Sequence, residues 1–301
     1  MAQNDYPNRL IKLIVPNAAG TVSDALARVL GQELGKRWNV PVVVENRAGA
    51  EGRIAARHFV TTPPDGYTFF IGASSTITIN PVLYKDPGYA PLKDMTTVAL
   101  TTRNWLTLSV PASSRIKSVA ELVAAAKGAP GKLNMAGGSS AVLIGTHSFM
   151  RQANLEMTYV PYRSSAAALN DLLGGQVEAM FVDVSSAAPH VRSGALRVLA
   201  TTGATRHKWL AEVPTMEESG FPGFEMVVTG MVMAPAGVPA SVVEKLNREV
   251  RSVFANPDFS KQFTGNGSEV MLASPAEATR IVRDESSRWS ELMKRSGLKP
   301  E

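Results

Sequence analysis

Two short runs of small residues are the places where this chain could do chemistry. The first is Asn17-Ala18-Ala19-Gly20-Thr21-Val22-Ser23, the second Ala136-Gly137-Gly138-Ser139-Ser140. Neither carries a cation or a base next to a nucleophile. What each offers is a set of backbone N–H groups at the start of a helix, where the positive end of the helix dipole favours a carboxylate or a phosphate. Taken singly, either run also fits a bare strand-to-helix connection. Two matching turns in separate halves of the chain favour one anion held from both sides.

Three more places fall beside these. Ser74, Ser75 and Thr76 follow a strand end, where ligands gather in open α/β sheets; they fit a helix cap equally well. Ser164, Ser165 and Ala166 open another helix behind a strand. Asp183 closes a strand and suits either a ligand hydroxyl or a neighbouring loop. Asp24 sits in the first turn of a helix, where the dipole stabilises its charge.

The arrangements that catalysis uses are missing. His58, His147, His190 and His207 are scattered, with no HExxH pair and no metal-ligand spacing. His147 lies on the helix behind the second turn and reaches a ligand only if it is not packed away. No GxSxG, GxxxxGK[ST] or GxGxxG occurs in its required context, and there is no cysteine for disulfides or thiol chemistry. The sequence therefore assigns no catalytic residue, no metal and no cofactor.

The elements that position the turns alternate strand and helix along most of the chain. Leu10 to Val15 is a buried parallel strand ended by Pro16, and a helix starts near Ser23 with apolar residues at Leu26, Val29, Leu30 and Leu34. Val42 to Glu45, Tyr67 to Ile71, Leu133 to Met135, Met157 to Pro161, Val177 to Asp183 and Leu196 to Thr201 are further strands. Met95 to Thr101 and Leu106 to Val110 form two extended segments with a polar break, Thr102 to Trp105, between them. Ser118 to Glu121, Ser241 to Glu244 and Ser274 to Glu277 are capping boxes, and Pro214 to Glu218 is a capped short helix. The chain leaves one half near Trp105 and returns near Gly230, so two adjacent strands should form a hinge. Trp105 there either walls the cleft or packs the crossing.

With 301 residues the chain fits two domains, and 45% hydrophobic against 19% charged residues describes a foldable globular protein. The net charge of +5 and pI of about 9.4 come from scattered Lys and Arg, without the clusters of a nucleic-acid binder. No run reaches the roughly 18 apolar residues of a membrane span. Met1 to Asp5 has the look of a short polar remnant and not of a signal peptide.

The sequence resembles the substrate-binding proteins of tripartite tricarboxylate transporters, the Bug-type periplasmic receptors. The match rests on IKLIVP at Ile11 to Pro16, VVVENRAGAEG at Val42 to Gly52, PPDGYT at Pro63 to Thr68, INP at Ile79 to Pro81 and VPY at Val160 to Tyr162. It continues through DLLGGQVEAMF at Asp171 to Phe181, PH at Pro189 and His190, VPT at Val213 to Thr215 and APAGVP at Ala234 to Pro239.

The resemblance implies an α/β, two-domain periplasmic-binding-protein fold of type II, its hinge made of two crossover strands. Domain I would comprise residues 1–104 and 230–301 and domain II residues 105–229, with the ligand cleft between them. It also implies a non-catalytic, monomeric periplasmic receptor that delivers a small organic carboxylate to the permease subunits of a tripartite transporter. A receptor that signals to a membrane sensor kinase is the alternative. The ligand residues it carries over are Asn17, Ala18, Ala19, Gly20, Thr21 and Ser23; Ser74, Ser75 and Thr76; Gly138, Ser139 and Ser140; Ser164, Ser165 and Ala166; and Asp183. The family commonly has a Phe and two prolines and then glycines in the first turn, where this chain has Asn17, Ala18, Ala19, Thr21 and Val22. That change and Trp105 bring an aromatic dicarboxylate such as terephthalate alongside the di- and tricarboxylic acids.

Overall fold

The computed structural model describes residues 6–265 and 267–301; Met1 to Asp5, with the polar remnant expected there, lie outside the described residues. In the first part of the chain, β1 (Ile11–Val15) leads into α1 (Val22–Trp38), followed by β2 (Val42–Asn46), α2 (Arg53–Phe59) and β3 (Thr68–Ala73). The short helices α3 (Asn80–Leu83) and α4 (Pro91–Asp94) then lead to β4 (Met95–Pro111). Ile11, Leu13, Ile14 and Val15 are fully buried, as a parallel strand covered on both faces requires. α1 ends at Asn39 with φ 52°, a left-handed stop.

The middle of the chain repeats the pattern. It runs α5 (Val119–Gly128), β5 (Asn134–Gly137), α6 (Ser140–Gln152), β6 (Thr158–Pro161), α7 (Ser165–Leu173), β7 (Ala179–Asp183), α8 (Val184–Arg192) and β8 (Leu196–Thr201). The chain then returns through β9 (Val227–Pro235), α9 (Ala240–Ala255), α10 (Pro257–Thr264), β10 (Glu269–Val270) and α11 (Pro275–Ser296).

The strands form one path, β2-β1-β3-β9-β4-β7-β5-β6, with β10 and β8 also paired to β4. β1, β2 and β3 are mutually parallel on one side, and β5, β6 and β7 on the other. β9 and β4 lie antiparallel between the two sets, so the expected pair of adjacent crossing strands is present.

Four expectations change. The polar stretch Thr102 to Trp105 does not interrupt the chain: β4 is a single strand of 17 residues, because Thr102 and Arg103 pair with β10 while Arg103, Asn104 and Trp105 pair with β9. It holds no Gly or Pro to break the ladder. Pro214 to Glu218 is a turn and not a helix. Thr215 and Glu218 do exchange capping bonds, of 3.0 and 2.8 Å, but Gly220, Pro222 and Gly223 follow at once. Ser241 lies inside α9, whose N-cap is Pro239, whereas Ser118 and Ser274 cap their helices as expected.

The last change concerns α11, which was expected with the first half. Trp289, Leu292 and Met293 belong to the same buried cluster as Leu106, Phe149 and Phe181 of the second half. Ala278 and Val282, earlier on the same helix, pack with Phe59, Phe70 and Leu100 of the first. One helix therefore closes both cores. At the junction its Glu285 is almost fully buried and accepts a 2.8 Å bond from Thr78 Oγ1; burial pushes this carboxyl up from its ordinary value.

Candidate functional site

The register of the sheet fixes where the candidate loops meet. β3 ends with Ala73 opposite Gly230, which lies level with Thr101 and Thr102 of β4. β7 runs the opposite way and ends with Asp183 opposite Leu106. The carboxyl ends of the two parallel sets thus approach the middle of β4 from opposite directions. They stop four to five residues apart, roughly 13–17 Å at the rise of a strand. Ligands of α/β sheets sit beyond such strand ends.

The first turn is exposed from Asn17 to Gly20. Gly20 has φ +86°, and its N–H donates to Asp24 Oδ2 at 2.9 Å. Asp24 also accepts from Arg28 Nε and Asn46 Nδ2, each at 3.0 Å, and Asn46 Nδ2 reaches Asn17 O at 3.0 Å. The Arg28 bond, helped by the Gly20 amide, pulls the Asp24 carboxyl down to about 2. Thr21 caps α1 by its backbone only, since its hydroxyl donates to Ala18 O at 2.9 Å. Within this turn one amide is already occupied by a carboxylate of the protein; those of Val22 and Ser23, in the first turn of the helix, have no intrahelical acceptor.

The second turn is tighter. A Cβ on Gly138 would lie 2.2 Å from the carbonyl carbon of Ser164, so only glycine lets the start of α6 touch the start of α7. Ser139 caps α6 through Val142 N at 3.4 Å, and Ser164 caps α7 through Ala167 N at 3.2 Å. Ser140 is buried beneath them. Two capped helix starts therefore stand side by side, with the first-turn amides of Ser140, Ala141, Ser165 and Ala166 left over. Asp183, half-buried at the end of β7, has no side-chain bond to α8, and burial pushes its carboxyl up.

The structure brings Gly138, Ser139 and Ser140 together with Ser164, Ser165 and Ala166. It uses the Ser74 and Thr76 hydroxyls internally. Ser74 is fully buried and its Oγ accepts from Thr229 N at 2.7 Å, which ties β3 to the returning strand; Thr76 Oγ1 donates to Ala73 O at 3.0 Å. Ser75 remains half-buried between them. Trp105 is 7% exposed, lies 3.1 Å from where a Cβ on Gly203 would be, and meets His207 edge to face at 4.8 Å. It packs the crossing. His147 lies half-buried 5.3 Å from the ring of Tyr159, and burial holds its imidazole below the usual range.

Sequence reasoning missed Asn46, whose place at the end of β2 the strand-end rule would have flagged, and the floor of the cleft. Thr101 Oγ1 and Asn104 Oδ1 are buried without a hydrogen-bond partner among the described residues, while Asn104 Nδ2 donates to Ser185 Oγ at 3.0 Å. Thr101 Oγ1 and Asn104 Oδ1 lie midway along β4, between the two sets of strand ends.

Two α/β halves joined by a pair of strands, with helix starts and hydroxyls at the junction, define a periplasmic-binding-protein fold built to hold a small ligand. Residues 26–298 match the model of the tripartite tricarboxylate transporter family receptor, and the chain belongs to that family. It is similar to "Protein BugT" of Bordetella pertussis (strain Tohama I), with 32% identity over 99% of this chain and 93% of that protein. Among solved structures it is similar to R. palustris Rpa4515 with adipate (33% identity, TM-score 0.85, 98% of this chain and 100% of that one). MatC (Rpa3494) from Rhodopseudomonas palustris with bound malate is similar too, with 28% identity and a TM-score of 0.80 over 96% of this chain and 100% of that one. Among the described residues no helix is long and apolar enough to cross a membrane.

Proposed function

We propose that this chain captures a small open-chain carboxylate in the periplasm and hands it, unreacted, to the permease subunits of a tripartite transporter. The observation that carries this reading is the convergence of two sets of strand ends on the middle of β4, with paired helix starts on one side. A carboxylate at the α6 and α7 starts would be held by amides and dipoles with no cation required. Burial raises the Asp183 carboxyl from its ordinary value, which disfavours its charged form beside an anion. Adipate and malate in the two similar structures make aliphatic dicarboxylates the first class to test.

Terephthalate draws on Trp105 and on the altered first turn; the Trp105 ring packs against His207, Val184 and Val227, which leaves the turn as its support. A thermal-shift and calorimetry panel of aliphatic and aromatic mono-, di- and tricarboxylates tests the reading, because a ligand that prefers the folded state raises its stability by mass action. The expected outcome is the largest shift with an aliphatic dicarboxylate and none with terephthalate. Turnover of any bound acid would count against a pure receptor.

A further inference from the structure

The loop between β2 and α2 holds four consecutive residues at positive φ: Gly49 (132°), Ala50 (48°), Glu51 (54°) and Gly52 (82°). Two of these are not glycine, and such conformations persist only where the surroundings over-determine them. Here they do. A Cβ on Gly52 would lie 2.3 Å from Thr76 Cγ2 and 2.9 Å from Pro16 Cβ, so the loop is wedged against the first turn. Ala50 O accepts from Arg53 Nε at 3.1 Å and Glu51 O accepts from the buried Asn80 Nδ2 at 2.9 Å. The Arg53 guanidinium in turn lies 3.6 Å over the ring of Tyr84.

This clamped backbone presents the Glu51 side chain to a cavity of about 450 Å³, a size typical of small-ligand sites. Glu51 and Tyr84 line it from the first half of the chain, and Gly138, Ser139, Tyr162 and Arg163 from the second. Glu51 and Arg163 are exposed, and neither has an ion-pair partner within 4.0 Å among the described residues. Glu301 lines the same cavity, so Arg163 shares it with two carboxylates, of which Glu51 is the one held on a clamped backbone.

We propose that Glu51 and Arg163 pair across the cleft when the two halves close on a ligand, so that the pair selects the closed state. The proposal rests on the receptor reading above. Apart, both groups are hydrated; closure expels water, and the lower local dielectric makes their attraction count. A stabilised closed state raises apparent affinity without any new contact to the ligand. The strained loop matters because a rigid backbone holds the carboxylate in place before closure.

The test is calorimetry on the full chain with adipate as first probe and the rest of the acid panel behind it. Glu51→Gln and Arg163→Gln should each weaken binding about threefold to tenfold, as a partly desolvated pair would. The double variant should be no weaker than either single one, and the swap Glu51→Arg with Arg163→Glu should restore affinity to within about twofold. At 1 M salt the wild type should lose most of its advantage over Glu51→Gln. A direct contact of Arg163 with the ligand carboxylate predicts the opposite sign at Glu51, tighter binding by Glu51→Gln, and that result overturns the proposal. So does additivity in the double variant. Should the wild type bind none of the panel, both this proposal and the receptor reading fall; binding with both variants unchanged removes this proposal alone.

Discussion

The two turns that look alike in sequence have different fates in the structure. The first is exposed and partly spent on the protein itself, since Asp24 occupies the Gly20 amide. The second is wedged against its neighbour, with Gly138 against Ser164, and its capping serines leave the first-turn amides of two helices unspent. Both turns keep unpaired first-turn amides, but the second sets two helix starts side by side, whereas the first stands alone and gives its Gly20 amide to Asp24. Under the proposed function, this difference puts the main hold on a ligand at the second turn.

The contrast is most directly broken at Gly138. Gly138→Ala places a methyl 2.2 Å from backbone that cannot swing aside, so we expect a stability loss of about 3 kcal/mol in denaturant melts and loss of carboxylate binding. Ser139→Asp is gentler on the fold, because aspartate also caps helices, yet it sets a like charge at the assigned site. Binding should weaken about tenfold or more in calorimetry; unchanged affinity would remove the second turn from the site.

Asp24→Asn tests the first turn. The folded carboxyl lies near 2 against an ordinary 3.8, so its contribution is fully present above pH 3.8 and disappears as pH falls through about 2. Melts should show a loss of about 1–2 kcal/mol at pH 7 that shrinks toward nothing near pH 2. The smallest effect belongs to Gly20→Ala. Nothing lies within 4 Å of the new Cβ, so only the φ of +86° is penalised, by about 1 kcal/mol, with ligand affinity close to wild type. A larger loss of affinity there than at Ser139 would invert the comparison.

Much of this was legible in the sequence. Buried runs such as Ile11 to Val15 announce parallel strands, and Ser118, Ser139, Ser164 and Ser274 announce helix starts that the structure confirms as caps. The residue-level signals failed where tertiary partners decide. Ser74 carries the same hydroxyl as Ser139, but Thr229, 155 residues away, takes it. The polar stretch around Arg103 looks like a break only until β9 and β10 pair with it. No local pattern reveals that Glu51 is left-handed, because Asn80, which binds its carbonyl, and Thr76, which meets the adjoining Gly52, are distant in sequence.

The straddling of α11 has a consequence for biogenesis. Trp289, Leu292 and Met293 complete the core beside Phe149, while Val282 completes the one beside Phe59, so neither apolar interior is sealed until the final two dozen or so residues arrive. A ribosome still holding that tail holds an unfinished molecule.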